Sequence, residues 1–197
     1  KYTNLRENTY VHYIGGKSEF TTNDTYVSVN GKTLPLSPFR CDNLKIKTSN
    51  ISMLIVGGGT AGSMIAFGAI EKGYKPTVVE YFNDLGGTKT VGGVNDYYFG
   101  YQAHEFIKKH KADIKQVAES HNMKLTMPRS YFYLKTLTDN NCPIINSAVF
   151  CKAEVKNEKL EGIIICNNGR LERITAQLTV DATGDADVAY MAGEGYE

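Results

Sequence analysis

Gly57, Gly59 and Gly62 stand at G-x-G-x-x-G spacing within ISMLIVGGGTAGSMIAFGAIEKGYKPTVVE, the stretch from Ile51 to Glu80. At that spacing the first glycine permits a tight turn and the second lets backbone approach a pyrophosphate. The third lets a helix pack closely against a strand. Thr60 and Ala61 lie between them where a helix begins, so unpaired N–H groups and the positive end of a helix dipole would bind a diphosphate without any side chain. Glu80 follows the glycines by about 20 residues, where an acid accepts hydrogen bonds from adenosine ribose hydroxyls and repels a 2′-phosphate. The chemistry implied is the binding of a dinucleotide.

The surrounding residues supply the elements that such a site needs. Met53, Leu54, Ile55 and Val56 form an apolar run without alternation, as in a strand buried on both faces of a parallel sheet. From Thr60 to Lys72, the residues Met64, Ile65, Ala66, Ala69 and Ile70 recur at helical spacing, and Gly73 sits where a helix ends. Thr77, Val78 and Val79 make a second strand. An isolated glycine motif is weak evidence. Here strand, glycines, helix, helix-ending glycine, second strand and acid fall in register, which favours a nucleotide site over a βαβ unit that binds nothing.

Two further stretches carry residues suited to a ligand. After Glu80 comes YFNDLGGTKTVGGVNDYYFGYQ, whose doublets Gly86-Gly87 and Gly92-Gly93 would let backbone approach a ligand closely. Composition alone suits an ordinary surface loop. Its position after the ribose-binding acid puts it at the carboxyl end of the sheet, where ligands of open α/β folds bind. Near the end of the chain, an apolar strand from Leu178 to Val180 runs into Asp181-Ala182-Thr183-Gly184-Asp185 and then a short helix. Gly184 allows close approach, and Asp185 accepts hydrogen bonds from a polyol or, like Asp187, caps the helix.

Between these stretches, Ala103 to Asn122 reads as a helix striped by Phe106, Ile107, Ile114, Val117 and Ala118. His110 and His121 are expected on its solvated face, since no carboxylate or nucleophile is spaced to work with them, while His104 is the one histidine candidate for substrate contact. Pro128 starts a second helix ending near Asp139-Asn140-Asn141. A β-meander follows, with strands expected at Ile144 to Cys151, Ala153 to Val155, Gly162 to Cys166 and Leu171 to Leu178, inserted so as to cover one face of the domain.

The chain has 197 residues, 42% of them hydrophobic, enough for one medium domain, or one plus a small appendage, with a sizeable core. Lys and Arg total 22 against 21 Asp and Glu, so no net field steers it to nucleic acid or an acidic membrane surface. No apolar run approaches the length that spans a bilayer. Cys41, Cys142, Cys151 and Cys166 lack C-x-x-C spacing, which argues against zinc and dithiol chemistry. Cys151 and Cys166 are expected in core strands. The first residue is Lys1, which leaves the compartment open, with the cytoplasm and reduced thiols as the default. Residues 1–50 are polar and rich in Thr and Asn, and read as a small β extension with strands around Tyr10 to Ile14, Thr25 to Val29 and Leu44 to Ile46. Gly15-Gly16 and Asn30-Gly31 are its turn signals. Tyr10, Tyr13, Phe20 and Tyr26 are expected to pack that sheet rather than bind sugar.

VGGGTAGSMIAFGAIEKGYKPTVVE, LGGTKTVGGVN and TVDATGDADVAYMAG together resemble the FAD-dependent oxidoreductases of the glutathione-reductase-like two-dinucleotide-binding superfamily. More narrowly they look like the group loosely labelled xanthan-lyase-related. The resemblance spans roughly Ile51 to Gly193 and implies a Rossmann-like α/β domain, residues 51–197, with a parallel sheet and an inserted meander. It also implies that Gly57, Gly59, Thr60, Ala61 and Gly62 hold the FAD pyrophosphate, Glu80 the adenosine ribose, and Gly86 and Gly87 the adenosine or pyrophosphate side. Thr88, Thr90, Gly92 and Gly93 would lie toward the isoalloxazine, and Gly184 and Asp185 along the phosphate and ribityl portion. The chemistry would then belong to the flavin, taking a hydride from a small, hydroxylated or sugar-like substrate. An NAD-dependent dehydrogenase is the alternative for the βαβ unit alone, and the D-A-T-G-D segment favours FAD. Family members continue beyond D-A-T-G-D-A-D, so a cofactor-binding portion completed by a second chain, or a homo-oligomer, is also expected.

Overall fold

The computed structural model describes residues 20–22, 26–29, 32–35, 46–94 and 104–195. Contacts divide the chain into two units, Lys1–Lys45 and Ile46–Glu197. In the first unit, β1 (Phe20–Thr22), β2 (Tyr26–Val29) and β3 (Lys32–Pro35) form an antiparallel sheet in that order. The register pairs Val29 with Lys32, as a two-residue connection requires. The strand expected around Tyr10, both turn doublets, and Tyr10 and Tyr13 lie outside the described residues. So do Leu44 and Lys45, and Ile46 stands before the next strand rather than within one.

The second unit is built on a six-stranded sheet in the order β6-β5-β4-β9-β8-β7. Its first strand, β4 (Lys47–Val56), begins six residues before the expected apolar run at Met53 and changes character along its length. Lys47 to Ser52 are exposed or half-buried, whereas Met53 to Val56 are wholly buried, the signature of a strand that passes from one covered face to two. Helix α1 (Thr60–Glu71) carries the chain to β5 (Thr77–Val79), which lies parallel to β4. Gly73 takes φ +83°, and the N–H groups of Gly73 and Tyr74 bond back to Ile70 and Ala69, closing the helix as its position foretold.

From β5 the chain crosses through α2 (Glu105–His121) and α3 (Met127–Asp139) to β6 (Ile144–Ile145), again parallel. Met53 and Ile55 pack with Ala66, Phe67, Val78, Leu85, Tyr133 and Leu137 on the helical side of the sheet. His110 belongs to this core rather than to a solvated face. It stacks on Phe67 with centroids 5.0 Å apart, lies 4.2 Å from Phe106, and its Nδ1 bonds the Phe106 carbonyl at 2.8 Å. On α2 this position turns inward, because Phe67 and Phe132 approach it from other helices. His121 is exposed, as expected.

Expected strand boundaries differ in three places, the first being that Ala153 to Val155 is continuous with Cys151 rather than a separate strand. Ile144 to Cys151 is broken at Asn146 and Ser147, where Ser147 takes φ +55°, because Ile144 and Ile145 pair with β5 while β7 (Ala148–Lys156) pairs with β8 (Lys159–Asn167). Conversely, the stretches expected as separate strands up to and after Leu178 are one strand, β9 (Arg170–Asp181). Residues Lys47 to Ile51 supply a partner for its first half and Met53 to Val56 for its second. Strands β7 and β8 thus continue the main sheet. They also fold back over the face opposite α1: Ala148, Ile163, Ile165 and Ile174 pack with Leu54, Val56 and Val79, and the Ala148 N–H donates to the Glu80 carbonyl at 3.0 Å. Cys151 is in β7 but exposed, at a bulge between Phe150 and Lys152, and Cys166 is half-buried, so neither is a core residue.

Candidate cofactor-binding site

The glycine turn joins β4 to α1 at the carboxyl ends of β4, β5 and β9. Here the chain leaves β4 toward β5 on one side while β9 lies on the other, the switch point at which open α/β sheets bind ligands. Gly57 donates to the Val79 carbonyl and Ala182 to the Val56 carbonyl, each at 2.8 Å, so three strand ends are stitched around the turn. Gly57 takes φ +96°, and a Cβ there would lie 2.4 Å from the Ala182 carbonyl oxygen. A Cβ on Gly62 would fall 1.8 Å from the Gly57 carbonyl oxygen. Both glycines are demanded by the protein's own packing.

Gly59 is different. It caps α1 in extended backbone, φ −63° and ψ −161°, and a Cβ there would meet no protein atom within 4 Å. No side chain caps this helix, and its first turn holds no acid. The helix end is therefore positive and faces open space over a residue without a side chain, which fits a diphosphate. Thr60 and Ala61 form the first turn, with Ala61 exposed.

Glu80 stands where expected, at the carboxyl end of β5, with only 5% of its surface exposed. Its carboxylate is already engaged: Oε2 accepts from the Gly58 N–H at 2.6 Å and Oε1 from the Phe82 N–H at 2.8 Å. Each oxygen keeps a further lone pair for a ribose hydroxyl. Gly58 was not singled out from the sequence, yet a Cβ on it would approach Leu85 Cδ2 to 2.5 Å and Glu80 Oε2 to 3.1 Å. The third glycine of the run Gly57-Gly58-Gly59 was the available signal.

The loop after Glu80 closes onto the turn. Gly86 donates to the Gly58 carbonyl at 2.8 Å, the Thr60 hydroxyl donates to the Gly86 carbonyl at 3.0 Å, and the Thr60 and Thr88 hydroxyl oxygens lie 3.4 Å apart. Gly87 begins a 3-10 turn, Gly87–Lys89, and a Cβ on it would come within 3.1 Å of Gly59 Cα. Thr90 is buried and donates its hydroxyl to the Leu85 carbonyl, so it braces the loop from within. Gly92 and Gly93 bond back to Gly87 and Thr90 at 3.0 Å, in an exposed stretch. The amino-terminal turn of α3 holds the loop from behind: Arg129 Nη1 donates to the Lys89 carbonyl at 3.1 Å, and Ser130 donates to Asp84.

Beyond β9, the anchor is Asp181 rather than Asp185. Asp181 Oδ1 accepts from the Thr183 N–H at 3.0 Å and hydroxyl at 2.7 Å, while Oδ2 accepts from the Ala189 N–H at 2.9 Å. Gly184 and Asp185 project outward, and no protein atom lies within 4 Å of a Cβ on Gly184. Ala186, at φ +55°, is the N-cap of α4 (Asp187–Ala192), so neither Asp185 nor Asp187 caps it. His104 is accounted for structurally: it precedes α2, and its Nδ1 accepts from the Phe106 N–H at 3.2 Å. Gly57, Gly59, Thr60, Gly62, Glu80, Gly86, Gly87 and Thr88 thus gather around one turn. Arg129 has no signal in the sequence because its partner is a distant backbone carbonyl, and Asp181 and Thr183, though within the expected turn, owe their anchoring role to backbone groups and to each other.

Solved structures with similar architecture include an L-proline dehydrogenase from P. horikoshii, at 12% identity and TM-score 0.54 over 78% of this chain and 58% of that one. A glycerol-3-phosphate dehydrogenase from Bacillus halodurans complexed with FAD is similar at 15% identity and TM-score 0.51, over 73% of this chain and 36% of that one. A geranylgeranyl bacteriochlorophyll reductase-like protein from Thermoplasma acidophilum gives 14% and 0.51, over 74% and 42%. At such identities the likeness is one of fold, and the chain spans less than two thirds of each relative's length. No curated protein matches the sequence. The family model described as FAD dependent oxidoreductase matches residues 52–197, without singling out the narrower xanthan-lyase-related group. The chain therefore belongs to the FAD-dependent oxidoreductase family, whose cofactor is FAD.

Proposed function

We propose that this chain holds FAD across the carboxyl ends of β4, β5 and β9 in an oxidoreductase that removes a hydride from a C–H bond of a small, hydroxylated molecule. The observation that carries the reading is Gly59, a glycine for which the protein's own packing has no need, at the mouth of an uncapped helix. The N–H groups of the first turn of α1 bind the diphosphate, Glu80 accepts from the ribose hydroxyls, and the loop from Gly86 to Thr88 closes the turn from the side. Gly184 and Asp185 follow Ala182, which touches the glycine turn, and present the ribityl side of the site. FAD, when bound, supplies the two-electron oxidation. The chain's part is to bind and orient it. Dehydrogenases of glycerol 3-phosphate and L-proline share the fold, which supports a donor of that size.

The test is to purify the chain, record its visible spectrum, release and identify the cofactor, and then add polyols anaerobically. A yellow protein that releases FAD and bleaches with a polyol is expected. A colourless protein that stays empty in excess FAD overturns the cofactor reading, and a yellow one that no hydroxylated compound bleaches overturns the substrate class.

A further inference from the structure

Among the described residues, β7 is the outer strand of the six-stranded sheet and pairs with β8 on one side only. Each of these two strands carries one cysteine, Cys151 on β7 and Cys166 on β8, fifteen residues apart in sequence. Antiparallel register sets Val149 opposite Cys166 and Phe150 opposite Ile165, and a bulge then inserts Cys151 before Lys152 pairs with Ile164. Phe150 and Ile165 pack in the core, whereas Val149 is exposed and Cys166 half-buried on the opposite face. Cys151 is exposed as well.

On an unbroken ladder Cys151 would be a diagonal neighbour of Cys166, and diagonal neighbours stand about 7–8 Å apart, too far for a disulfide. The bulge removes that obstacle. An extra residue crowds two positions of one strand against one of the other. Here the Cys151 sulfur lies back over the pair of Val149 and Cys166: its thiol donates to the Val149 carbonyl at 3.3 Å, and the Cys166 N–H points at the same sulfur. The Cys166 sulfur is three bonds from that nitrogen, so a turn about its Cα–Cβ bond brings the two sulfurs together. Strand pairing, not C-x-x-C spacing, makes this pair.

We propose that Cys151 and Cys166 are a thiol pair that a low-molecular-weight disulfide oxidises to a disulfide clasp, fastening the edge strand β7 to β8. The exposed Cys151, as thiolate, attacks one sulfur of the small disulfide, breaks its S–S bond and expels one thiolate. The Cys166 thiolate then attacks the Cys151 sulfur and expels the second. Two protein thiols are oxidised, the small disulfide is reduced to two thiols, and both protons end on those thiols. Partial desolvation of its sulfur, and next the neighbouring Cys166 thiol, raise the Cys151 thiol above its ordinary value of 9.0, against the Cys166 N–H, which lowers it. Such a thiol is a poor leaving group, so the closed bond resists reduction and suits a lasting clasp rather than a fast switch. The strand it fastens backs the glycine turn: Ala148, at the start of β7, donates to the Glu80 carbonyl, and Val188 of α4 packs in the same core as Ala148.

The experiment incubates the full chain with oxidised glutathione, then reads intact mass, a tryptic peptide map and a thermal melt. The expected product is two hydrogens lighter, retains no glutathione, and yields the peptide of residues 136–152 linked to that of residues 160–170. Fragmentation of the linked pair is expected to assign the bond to Cys151 rather than to Cys142, which shares the first peptide. Closing a loop of about 15 residues should raise the melting temperature by about 5–10 °C, and dithiothreitol should reverse the rise. Cys151→Ser, altered at an exposed position, should melt with reduced wild type and show no rise on oxidation, and Cys166→Ser should show none either. Glutathione left on Cys151 as a mixed disulfide, a bond through any other cysteine, or a closed bond that leaves the melting temperature unchanged overturns the proposal.

Discussion

Replacing Gly59 with valine separates a glycine kept for a ligand from one kept for the fold. The backbone at Gly59 is φ −63° and ψ −161°, open to any residue, and a Cβ meets nothing within 4 Å. Loss of glycine as an N-cap costs up to about 1 kcal/mol. Restricting the unfolded chain offsets about 0.4–1 kcal/mol of that. The net change in stability is near zero, and the melting temperature should move by no more than about 2–4 °C. Binding has no such compensation. A valine side chain fills the space over the α1 amino terminus, and losing two charge-assisted hydrogen bonds to the diphosphate, at about 1.5 kcal/mol each, weakens FAD about 100-fold or more. Gly62→Ala is the contrast: its Cβ would sit 1.8 Å from a backbone oxygen, with no flexible side chain to give way, so several kcal/mol of stability are lost before any ligand is added. The assay is a circular-dichroism melt of the apoprotein beside a fluorescence titration with FAD. A Gly59→Val protein that melts like wild type and binds FAD within threefold of it would refute the placement of the diphosphate. One that unfolds like Gly62→Ala would refute the claim that the space is open.

Glu80→Gln should destabilise the apoprotein by about 1–3 kcal/mol, because the amide nitrogen must face either the Gly58 or the Phe82 N–H. An unchanged melting temperature would show that these bonds do not hold the turn. Phe67→Ala, which removes the ring packed between His110, Phe132 and Tyr133, should cost about 3–5 kcal/mol in a denaturant titration. Burial raises the Cys142 thiol above its ordinary value of 9.0, so the stability that it contributes is complete below that pH and is lost as pH rises through the elevated folded value. Melting temperatures taken from neutral pH upward should therefore fall more steeply for wild type than for Cys142→Ala, and parallel curves would contradict this.

The parts of the fold legible in the sequence are those fixed by local periodicity. The run from Met53 to Val56, the helix from Thr60 to Glu71 ended by Gly73, and the short strand from Thr77 to Val79 depend on neighbours within a few residues. Failures occurred where a distant partner decides. Nothing near Ile145 says that it ends against β5 while Ala148 begins against β8, and nothing near Leu178 says that β4 accompanies β9 along its whole length. His110 failed for the same reason. Its spacing from Phe106 is helical, but only the approach of Phe67 and Phe132 from other helices makes that position interior.

The site shows a sharper version of this limit. In the sequence Gly57, Gly58, Gly59 and Gly62 are alike, and spacing selects three of them by analogy with a diphosphate turn. Structure sorts them by cause: Gly57, Gly58 and Gly62 exclude a side chain because the Ala182 oxygen, Leu85 and the Gly57 oxygen stand in its place. Gly59 excludes one against nothing in the protein. A glycine required by packing would be kept whether or not the site still bound anything, so it says nothing of a ligand. One that packing leaves free carries information only where its position also does, since Gly68 on α1 and Gly195 are equally open; Gly184 is such a case, with open space around its Cβ beyond the end of β9. Gly59 and Gly184 stand beyond the carboxyl ends of paired parallel strands, β4 and β9, the edge at which ligands of open α/β sheets bind.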